Sequence, residues 1–199
     1  MTIKIGVILG TIRPNSLGIK IMNYLKKTFH NDETVEYTWM PLQDYPLPFY
    51  QHAETPLTGH ISNLTSNEKN WLDTLAKQDG YLILSPEYDH AITGSLKNAL
   101  DFVGPEVDHK PVQIVTYSYY SDGGMLAAQS IVPILQMLKM IVLPTPVLLW
   151  NAENNFDEQG KLNLETENSA HFAKRLNEAF NEILFYSKLT TLNPYPISK

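Results

Sequence analysis

The stretch from Lys4 to Leu25 constrains the fold more than any other part of the chain, because its hydrophobic pattern changes abruptly. It begins with the apolar run 5–9, which is too short for an independent helix and rich in β-branched residues. Such a run is typical of a strand buried on both faces of a parallel sheet. Ser16 then stands at the N-cap position of a helix. The apolar residues of that helix recur at three- or four-residue spacing and are Ile19, Met22, Leu25 and Phe29.

The loop between this strand and helix, residues 10–16, has the chemistry of an anion site. A helix N-terminus offers free backbone N–H groups and the positive end of the helix dipole. Thr11 and Ser16 add hydroxyl groups, and Arg13 adds a guanidinium whose forked donors suit phosphate oxygens. The loop lacks both the Gly-Lys-Ser/Thr of nucleotide hydrolases and the spaced glycines of the dinucleotide fingerprint. From this loop alone, a phosphate site and an ordinary strand–helix connection both remain open.

Four further strand patterns alternate with helical patterns along the chain. The strand patterns cover 35–39, 81–84, 111–117 and 141–150, the last interrupted by prolines. The helical patterns cover 66–77, a segment from about 95, 125–140 and 165–186. This alternation predicts a single α/β domain over 1–199, a flavodoxin-like doubly wound five-stranded parallel sheet of order 2-1-3-4-5 with helices on both faces. Residues from about 187 to 199 are predicted to form a loose C-terminal tail.

The composition argues against several classes of function. A net charge of -6 without a basic stripe argues against nucleic-acid binding. The absence of cysteine excludes disulfides and thiolate metal sites and fits a cytoplasmic protein. Because the chain enters a strand at once and no apolar run reaches membrane-spanning length, neither a signal peptide nor a membrane partner is expected. His52, His60 and His109 show no metal-ligand spacing, so no metal site is predicted.

Three polar loops follow the first, third and fourth strands, at 10–16, 85–90 and 118–124. The carboxyl ends of parallel strands meet at one edge of the sheet, so the three loops are expected to converge on one ligand. The second loop opens with Pro86, and its backbone amides are expected to be free to bond the edge of a flat heterocycle. The third loop supplies small residues and glycines, which let a ring approach the backbone. A phosphate at one end and a planar ring at the other describe flavin mononucleotide, FMN.

The motifs in these loops resemble those of the NADPH-dependent FMN reductase family, which includes quinone, azo-dye and chromate reductases. The resemblance runs from residue 6 to about residue 160, and its most specific part is the second loop with the helix after it. The matching residues are Gly10-Thr11-x-Arg13-Pro14 with Gly18, Pro86-Glu87-Tyr88-x-His90, Leu96-Lys97-Asn98-Ala99-Leu100-Asp101, Lys110-Pro111-Val112, Gly123-Gly124 with Ala127, and Phe156-Asp157-Glu158-x-Gly160.

The resemblance implies an oxidoreductase that passes hydride from NADPH or NADH, through bound FMN, to a quinone, azo compound, free flavin or similar acceptor. The flavin N5 would carry the chemistry, so no catalytic side chain is expected. The residues implied to hold the phosphate are Thr11, Arg13, Ser16, Leu17 and Gly18. Those implied to line the flavin ring are Pro86, Glu87, Tyr88 and Asp89 on one side and Ser118, Tyr119 and Ser121 on the other. The Lys97-Asn98 pair would brace the second loop, and its helix would meet a partner subunit in a homodimer or homotetramer.

The chain departs from the family pattern at two positions, Asp89, where the family generally has asparagine, and Tyr120, where it tends to have glycine. A carboxylate cannot donate the hydrogen bonds of an amide, and near the flavin it would disfavour an anionic reduced ring. Tyr120 would make the third loop bulkier, so that the loop shields the ring or narrows the substrate site. Tyr119 and Tyr120 either stack on the ring or pack the loop. Glu87 is interpreted as a backbone-positioning or interface residue rather than a general base, and His90 as a loop-structuring or interface residue rather than a proton donor. A flavodoxin-type electron carrier and a non-catalytic flavin-binding or sensory protein remain as alternatives.

Overall fold

The computed structural model describes residues 1–59, 61–119 and 122–196. The strands within these ranges are β1 Ile3–Leu9, β2 Val35–Pro41, β3 Gly80–Pro86, β4 Pro111–Tyr117, β5 Ile141–Val142 and β6 Val147–Leu149. The α-helices are α1 Leu17–Thr28, α2 Ser66–Ala76, α3 Gly94–Asp101, α4 Met125–Met137 and α5 Ser169–Leu192. Helices and strands therefore alternate along the chain, as the hydrophobic pattern predicts.

The strands form one parallel sheet in the order β2-β1-β3-β4-β5, which confirms the predicted topology. The central strands β3 and β4 are buried along their whole length. The strand β2 lies at one edge and alternates between buried and more exposed positions, as the sequence of that segment predicts. The strands β1 and β3 are neighbours, but the helices that follow them, α1 and α3, pack on opposite faces of the sheet, so the carboxyl ends of β1 and β3 form a switch point.

The helices cover both faces of the sheet and divide the core into two clusters. Helices α1 and α5 pack on one face, where Ile21 and Phe172 are fully buried. Helices α2, α3 and α4 pack on the other face, around Trp71 and Leu96. Both clusters bury aromatic and branched side chains, and this removal of apolar surface from water is the main stabilising contribution to the sandwich.

The outer position beside β4 is shared by two short strands. The strand β5 pairs with the start of β4, and β6 pairs with its end. The segment between them contains Pro144 and Pro146, which cannot donate ladder hydrogen bonds, and Thr145 has a φ of 56°. The predicted bend in the fifth strand is therefore confirmed.

The last helix differs from its predicted bounds, because α5 spans Ser169–Leu192 and the predicted helix ended at Tyr186. Residues 187–192 are helical, so the prediction of a loose tail from residue 187 was wrong for this part. The hydroxyl of Ser187 is buried against Gly80 at the start of β3. The Thr191 hydroxyl donates a hydrogen bond to the Ser187 carbonyl at 2.7 Å, one helical turn earlier in α5.

Candidate FMN site at the switch point

The loop after β1 forms a capped helix start, as the sequence predicts. Ser16 has an extended backbone, and its hydroxyl accepts a hydrogen bond from the Ile19 amide at 3.3 Å. Thr11 closes the loop from the other end, because its hydroxyl accepts the Arg13 amide at 3.2 Å. The Arg13 side chain is left exposed at the mouth of the loop. The amides of Leu17 and Gly18 therefore lie in the first turn of α1, where a bound anion is stabilised.

The second loop uses two of the backbone amides that the sequence analysis expected to be free. The Glu87 amide donates to the Tyr117 carbonyl at 3.1 Å and so extends the β3–β4 ladder. The Tyr88 amide donates to the Ala91 carbonyl at 2.9 Å, and the Ala91 amide returns a bond of 3.0 Å. The expectation of free amides was therefore wrong for Glu87 and Tyr88. The two residues between Tyr88 and Ala91 form the tip of a tight hairpin.

The Tyr88 side chain links the second loop to the first. Its hydroxyl lies 3.4 Å from the Thr11 hydroxyl. It also interacts with the Arg13 side chain, and this hydrogen-bonding interaction raises the pKa of Arg13. The Tyr88 hydroxyl is thus near the anion-binding end of the site, whereas the resemblance implied a role for Tyr88 along the flavin ring.

Two carboxylates hold the second and third loops at the start of α4. The Glu87 carboxylate accepts the Ala127 amide at 3.0 Å, and its other oxygen lies 3.5 Å from His90 Nδ1. The Asp122 carboxylate accepts the Gly124 amide at 3.1 Å and the Ser118 hydroxyl at 3.0 Å. Carboxylates at a helix N-terminus stabilise its unpaired N–H groups. These contacts agree with the interpretation of Glu87 and His90 as positioning residues.

The three loops enclose a cavity of about 210 Å³ at the carboxyl edge of the sheet. It brings together eight of the twelve predicted site residues, namely Arg13, Ser16, Leu17, Pro86, Glu87, Tyr88, Ser118 and Tyr119. Thr11 and Gly18 do not line the cavity themselves but contact residues that do. The Thr11 hydroxyl lies 3.4 Å from the Tyr88 hydroxyl, and Gly18 lies against the Tyr117 hydroxyl. Asp89 is exposed and does not line the cavity. The predicted residue Ser121 and the departure at Tyr120 lie outside the described residues.

Two residues line the cavity that the sequence analysis did not select. Asn15 has a φ of 53° and turns the chain into Ser16, and the Pro-Asn pair is the sequence signal for such a turn. Tyr117 is the last residue of β4, and its side chain reaches the cavity from the end of the strand. Its position at the carboxyl end of a central strand was the available signal for a role in the site.

The Lys97-Asn98 pair has a different role from the one implied by the resemblance. Lys97 pairs with Asp101 on the same helix. The Asn98 side chain donates to the Pro48 carbonyl at 2.8 Å and accepts the Tyr50 amide at 3.0 Å. Asn98 therefore fixes the proline-rich loop after β2, and the implied bracing of the second loop by this pair was wrong. The contact from α3 to the phosphate loop comes instead from Thr93, whose hydroxyl donates to the Gly10 carbonyl.

The histidines do not form a metal centre in the described part of the chain, where no group of three or more His, Cys, Asp or Glu side chains has suitable geometry. His52 Nε2 lies 3.1 Å from the buried Glu68 carboxylate, and His109 stacks on Tyr195. His60 lies outside the described residues. Within the same ranges, no helix is both long and apolar enough to cross a bilayer.

We expect Asp89→Asn to change the FMN dissociation constant by less than about fivefold, because exposed charges contribute little to binding in water. Asp89 and His90 have φ values of 48° and 65° and form the exposed hairpin tip, where asparagine is equally well tolerated. Fluorescence titration with FMN checks this expectation. A change of tenfold or more would contradict it and would mean that the carboxylate faces the bound flavin.

The pH dependence of stability is expected to report on Asp122. Hydrogen bonds from the Gly124 amide and the Ser118 hydroxyl hold the pKa of Asp122 below its ordinary value of 3.8. The ionised carboxylate therefore stabilises the folded state above that value, and its contribution is lost as pH falls through the lowered pKa. Asp122→Asn should lose less stability than the wild type between about pH 5 and about pH 3 in urea unfolding. Identical losses in both proteins would contradict this assignment.

The strand order and the cavity at the switch point define a flavodoxin-like protein. The chain belongs to the NADPH-dependent FMN reductase family, whose profile matches residues 3–155. It is therefore an oxidoreductase, with FMN as its cofactor and NAD(P)H as its co-substrate.

Two relatives agree with this membership, and a solved structure agrees with the fold. The chain is 29% identical over 194 residues to an NAD(P)H-dependent FMN reductase of Schizosaccharomyces pombe, covering 98% of this chain and 94% of the relative. A quinone reductase of Pseudomonas putida is 27% identical over 173 residues, covering 82% and 86% of the two chains. The structure of FerB, a flavoenzyme NAD(P)H:(acceptor) oxidoreductase from Paracoccus denitrificans, matches with a TM-score of 0.73 at 22% identity, covering 94% of this chain and 98% of FerB. At this identity the structural likeness shows the fold alone.

Proposed function

We propose that this protein transfers hydride from NAD(P)H to a small-molecule acceptor at an FMN bound in the cavity between the three loops. The observation that carries the proposal is the arrangement of the cavity walls. An arginine and the start of α1 stand on one side, and the second and third loops stand on the other. The arginine and the helix start suit a phosphate, and the loops leave space for a planar group, so the residues present fit FMN.

Bound FMN would supply the redox chemistry, accepting hydride from the nicotinamide and delivering electrons to the acceptor. The protein binds and orients. Arg13, Ser16, Leu17 and Gly18 would hold the phosphate, with Thr11 supporting the loop. Pro86, Glu87, Ser118, Tyr119 and Ser121 are proposed to flank the ring, with the Tyr88 hydroxyl toward the phosphate end and Asp89 at the exposed tip of the second loop. Glu87 is already bonded to the Ala127 amide, which supports a positioning role for its carboxylate.

We propose a quinone as the first acceptor to test, with azo compounds and free flavin as further candidates. The support is the Pseudomonas putida relative, whose name is that of a quinone reductase. The test follows NADPH oxidation by FMN-loaded protein with a benzoquinone, at several concentrations of both substrates. Parallel lines in double-reciprocal plots would support alternate occupation of one site. Slow turnover despite a bound and reducible FMN would instead favour the electron-carrier or sensory alternatives.

We also propose that the protein is a homodimer or homotetramer. Apolar side chains are exposed beside α3, where Met137 has 65% and Leu57 has 41% of its surface accessible. Both border a groove of about 400 Å³ that also includes Lys97 and Asp101. An exposed apolar groove of this kind is typical of an interface between subunits.

Met137→Glu is expected to shift the assembly toward the monomer, because it places a charge in the proposed interface. Light scattering coupled to gel filtration measures the mass. The matched control is Phe185→Glu, since Phe185 is 62% exposed on α5 and lies outside this groove. Equal masses for the wild type and Met137→Glu would place the interface elsewhere or mean that the wild type is a monomer.

A further inference from the structure

One buried polar group in the cavity has no role in the structure described so far. The Tyr117 side chain is 3% exposed, and its hydroxyl finds no hydrogen-bond acceptor among the described residues, because the Gly18 amide beside it can only donate. Buried hydroxyl groups are normally paired, and leaving one unpaired destabilises the folded state. The position therefore requires an explanation, and phenylalanine would fill the same space without this cost.

The unpaired hydroxyl faces the start of α1. A Cβ atom on Gly18 would overlap the Tyr117 oxygen and would lie 2.7 Å from Leu9 Cδ1. The absence of a side chain at Gly18 thus opens the path by which the hydroxyl approaches the first turn of the helix. Ser16 caps the Ile19 amide, so the amides of Leu17 and Gly18 remain at the open end of α1.

The surroundings of the hydroxyl belong to the proposed anion site. Arg13, Tyr88 and Tyr119 are near enough to influence its ionisation, and all three line the same cavity. Burial raises the pKa of Tyr117, so the group stays a neutral hydrogen-bond donor at neutral pH. A neutral donor beside an arginine and a helix N-terminus lacks only an acceptor.

We propose that the Tyr117 hydroxyl donates a hydrogen bond to the phosphate of the bound flavin and makes the site selective for FMN over riboflavin. This inference rests on the proposed FMN site. The hydroxyl hydrogen has no acceptor among the described residues, and a bound phosphate would supply one. Tyr117 is accordingly a specificity-determining residue on the strand, whereas Arg13 contributes the charge from the loop.

Tyr117→Phe is expected to weaken FMN binding without destabilising the ligand-free protein. The variant should bind FMN about tenfold more weakly, because it loses a hydrogen bond to a charged acceptor, and it should bind riboflavin as the wild type does. The melting temperature of its ligand-free form should equal or exceed that of the wild type, because an unpaired buried hydroxyl is removed. A purely structural tyrosine would instead lower the melting temperature and leave the FMN-to-riboflavin ratio unchanged.

The matched control is Tyr81→Phe. Tyr81 is fully buried in the neighbouring strand, but its hydroxyl donates to the Leu75 carbonyl at 2.6 Å. This control should melt at a lower temperature than the wild type and keep the wild-type affinities for both flavins. The comparison therefore separates the effect of losing any buried tyrosine hydroxyl from the specific effect of losing the Tyr117 hydroxyl on FMN affinity.

The experiment titrates FMN and riboflavin into the three ligand-free proteins by fluorescence quenching and records their melting temperatures. Unchanged FMN affinity in Tyr117→Phe would overturn the inference, because it would mean that the phosphate does not contact this hydroxyl. An equal loss of both flavins, or a failure of Tyr117→Phe to fold, would also overturn it. Absence of FMN binding in the wild type would overturn the proposed function itself, which distinguishes the two failures.

Discussion

Arg13→Ala is expected to weaken FMN binding by about 10- to 100-fold, the loss expected for a charge-assisted hydrogen bond to phosphate. The guanidinium is exposed at the mouth of the cavity, with the capped start of α1 beside it. Because riboflavin lacks the phosphate, its affinity should change little. The ratio of the two dissociation constants therefore isolates the phosphate contribution from any effect on the ring.

The chain offers a matched control for this arginine. Its only other arginine, Arg175, lies on α5, where it pairs with Glu178 and donates to the Thr145 carbonyl at 3.3 Å. Arg175→Ala removes the same charge from a surface distant in sequence from the three loops and should leave both affinities unchanged. Equal FMN binding by the wild type and Arg13→Ala would contradict the placement of the phosphate at this loop.

Gly160→Ala is expected to lower the free energy of unfolding by about 3 kcal/mol. Gly160 has a φ of 71°, which alanine adopts only with strain. The added Cβ would also lie 2.5 Å from the Asn23 carbonyl carbon and 2.6 Å from the Tyr24 nitrogen. Both are backbone atoms of α1, so no side-chain rotation relieves the overlap.

The reason for this close approach is the hairpin formed by 156–162. Phe156 and Leu162 pair across it, and the Phe156 ring packs on Tyr24 with centroids 5.4 Å apart. Gly160 closes the turn, and its amide donates to the Asp157 carbonyl at 3.0 Å. The hairpin therefore packs on the helix whose start forms the proposed phosphate site, which gives a physical reason for the Phe-Asp-Glu-x-Gly motif.

Gly94→Ala is the control for this prediction. A Cβ at Gly94 would meet no atom within 4 Å, and the residue lies in the first turn of α3. Alanine there should leave stability unchanged or raise it slightly. Thermal unfolding of the ligand-free proteins should show Gly160→Ala melting about 6–12 °C lower, at the sensitivity expected for a domain of this size. Similar melting temperatures for both variants would contradict the close packing of the hairpin on α1.

The parts of the fold that depend on local pattern are predictable from the sequence. The run before Gly10 and the helical spacing after Ser16 specify β1, the loop and α1, and the Ser16 cap forms as predicted. The strand order follows from alternating elements and right-handed crossovers, and the structure confirms it. These features depend on neighbouring residues in the chain, so one sequence contains the necessary information.

Features that depend on contacts distant in sequence were not predictable in the same way. The Glu87 amide donates its hydrogen bond to the Tyr117 carbonyl, which lies in the next strand of the sheet. Residues 187–192 are helical, with Ser187 buried against Gly80. Every residue of β4 is buried, so the hydrophobic pattern did not single out Tyr117, and only its position at the end of the strand indicated a role in the site.

The measurement that tests the central claim most directly is the visible spectrum of the FMN-loaded protein during anaerobic addition of NADPH. The protein is incubated with FMN, freed of unbound flavin, and titrated, with NADH in a parallel sample. The yellow flavin bands are expected to be retained by the protein and to bleach directly at one equivalent of reduced nicotinamide per FMN. A protein that retains no FMN, or flavin bands that persist in excess NADPH and NADH, would contradict this expectation.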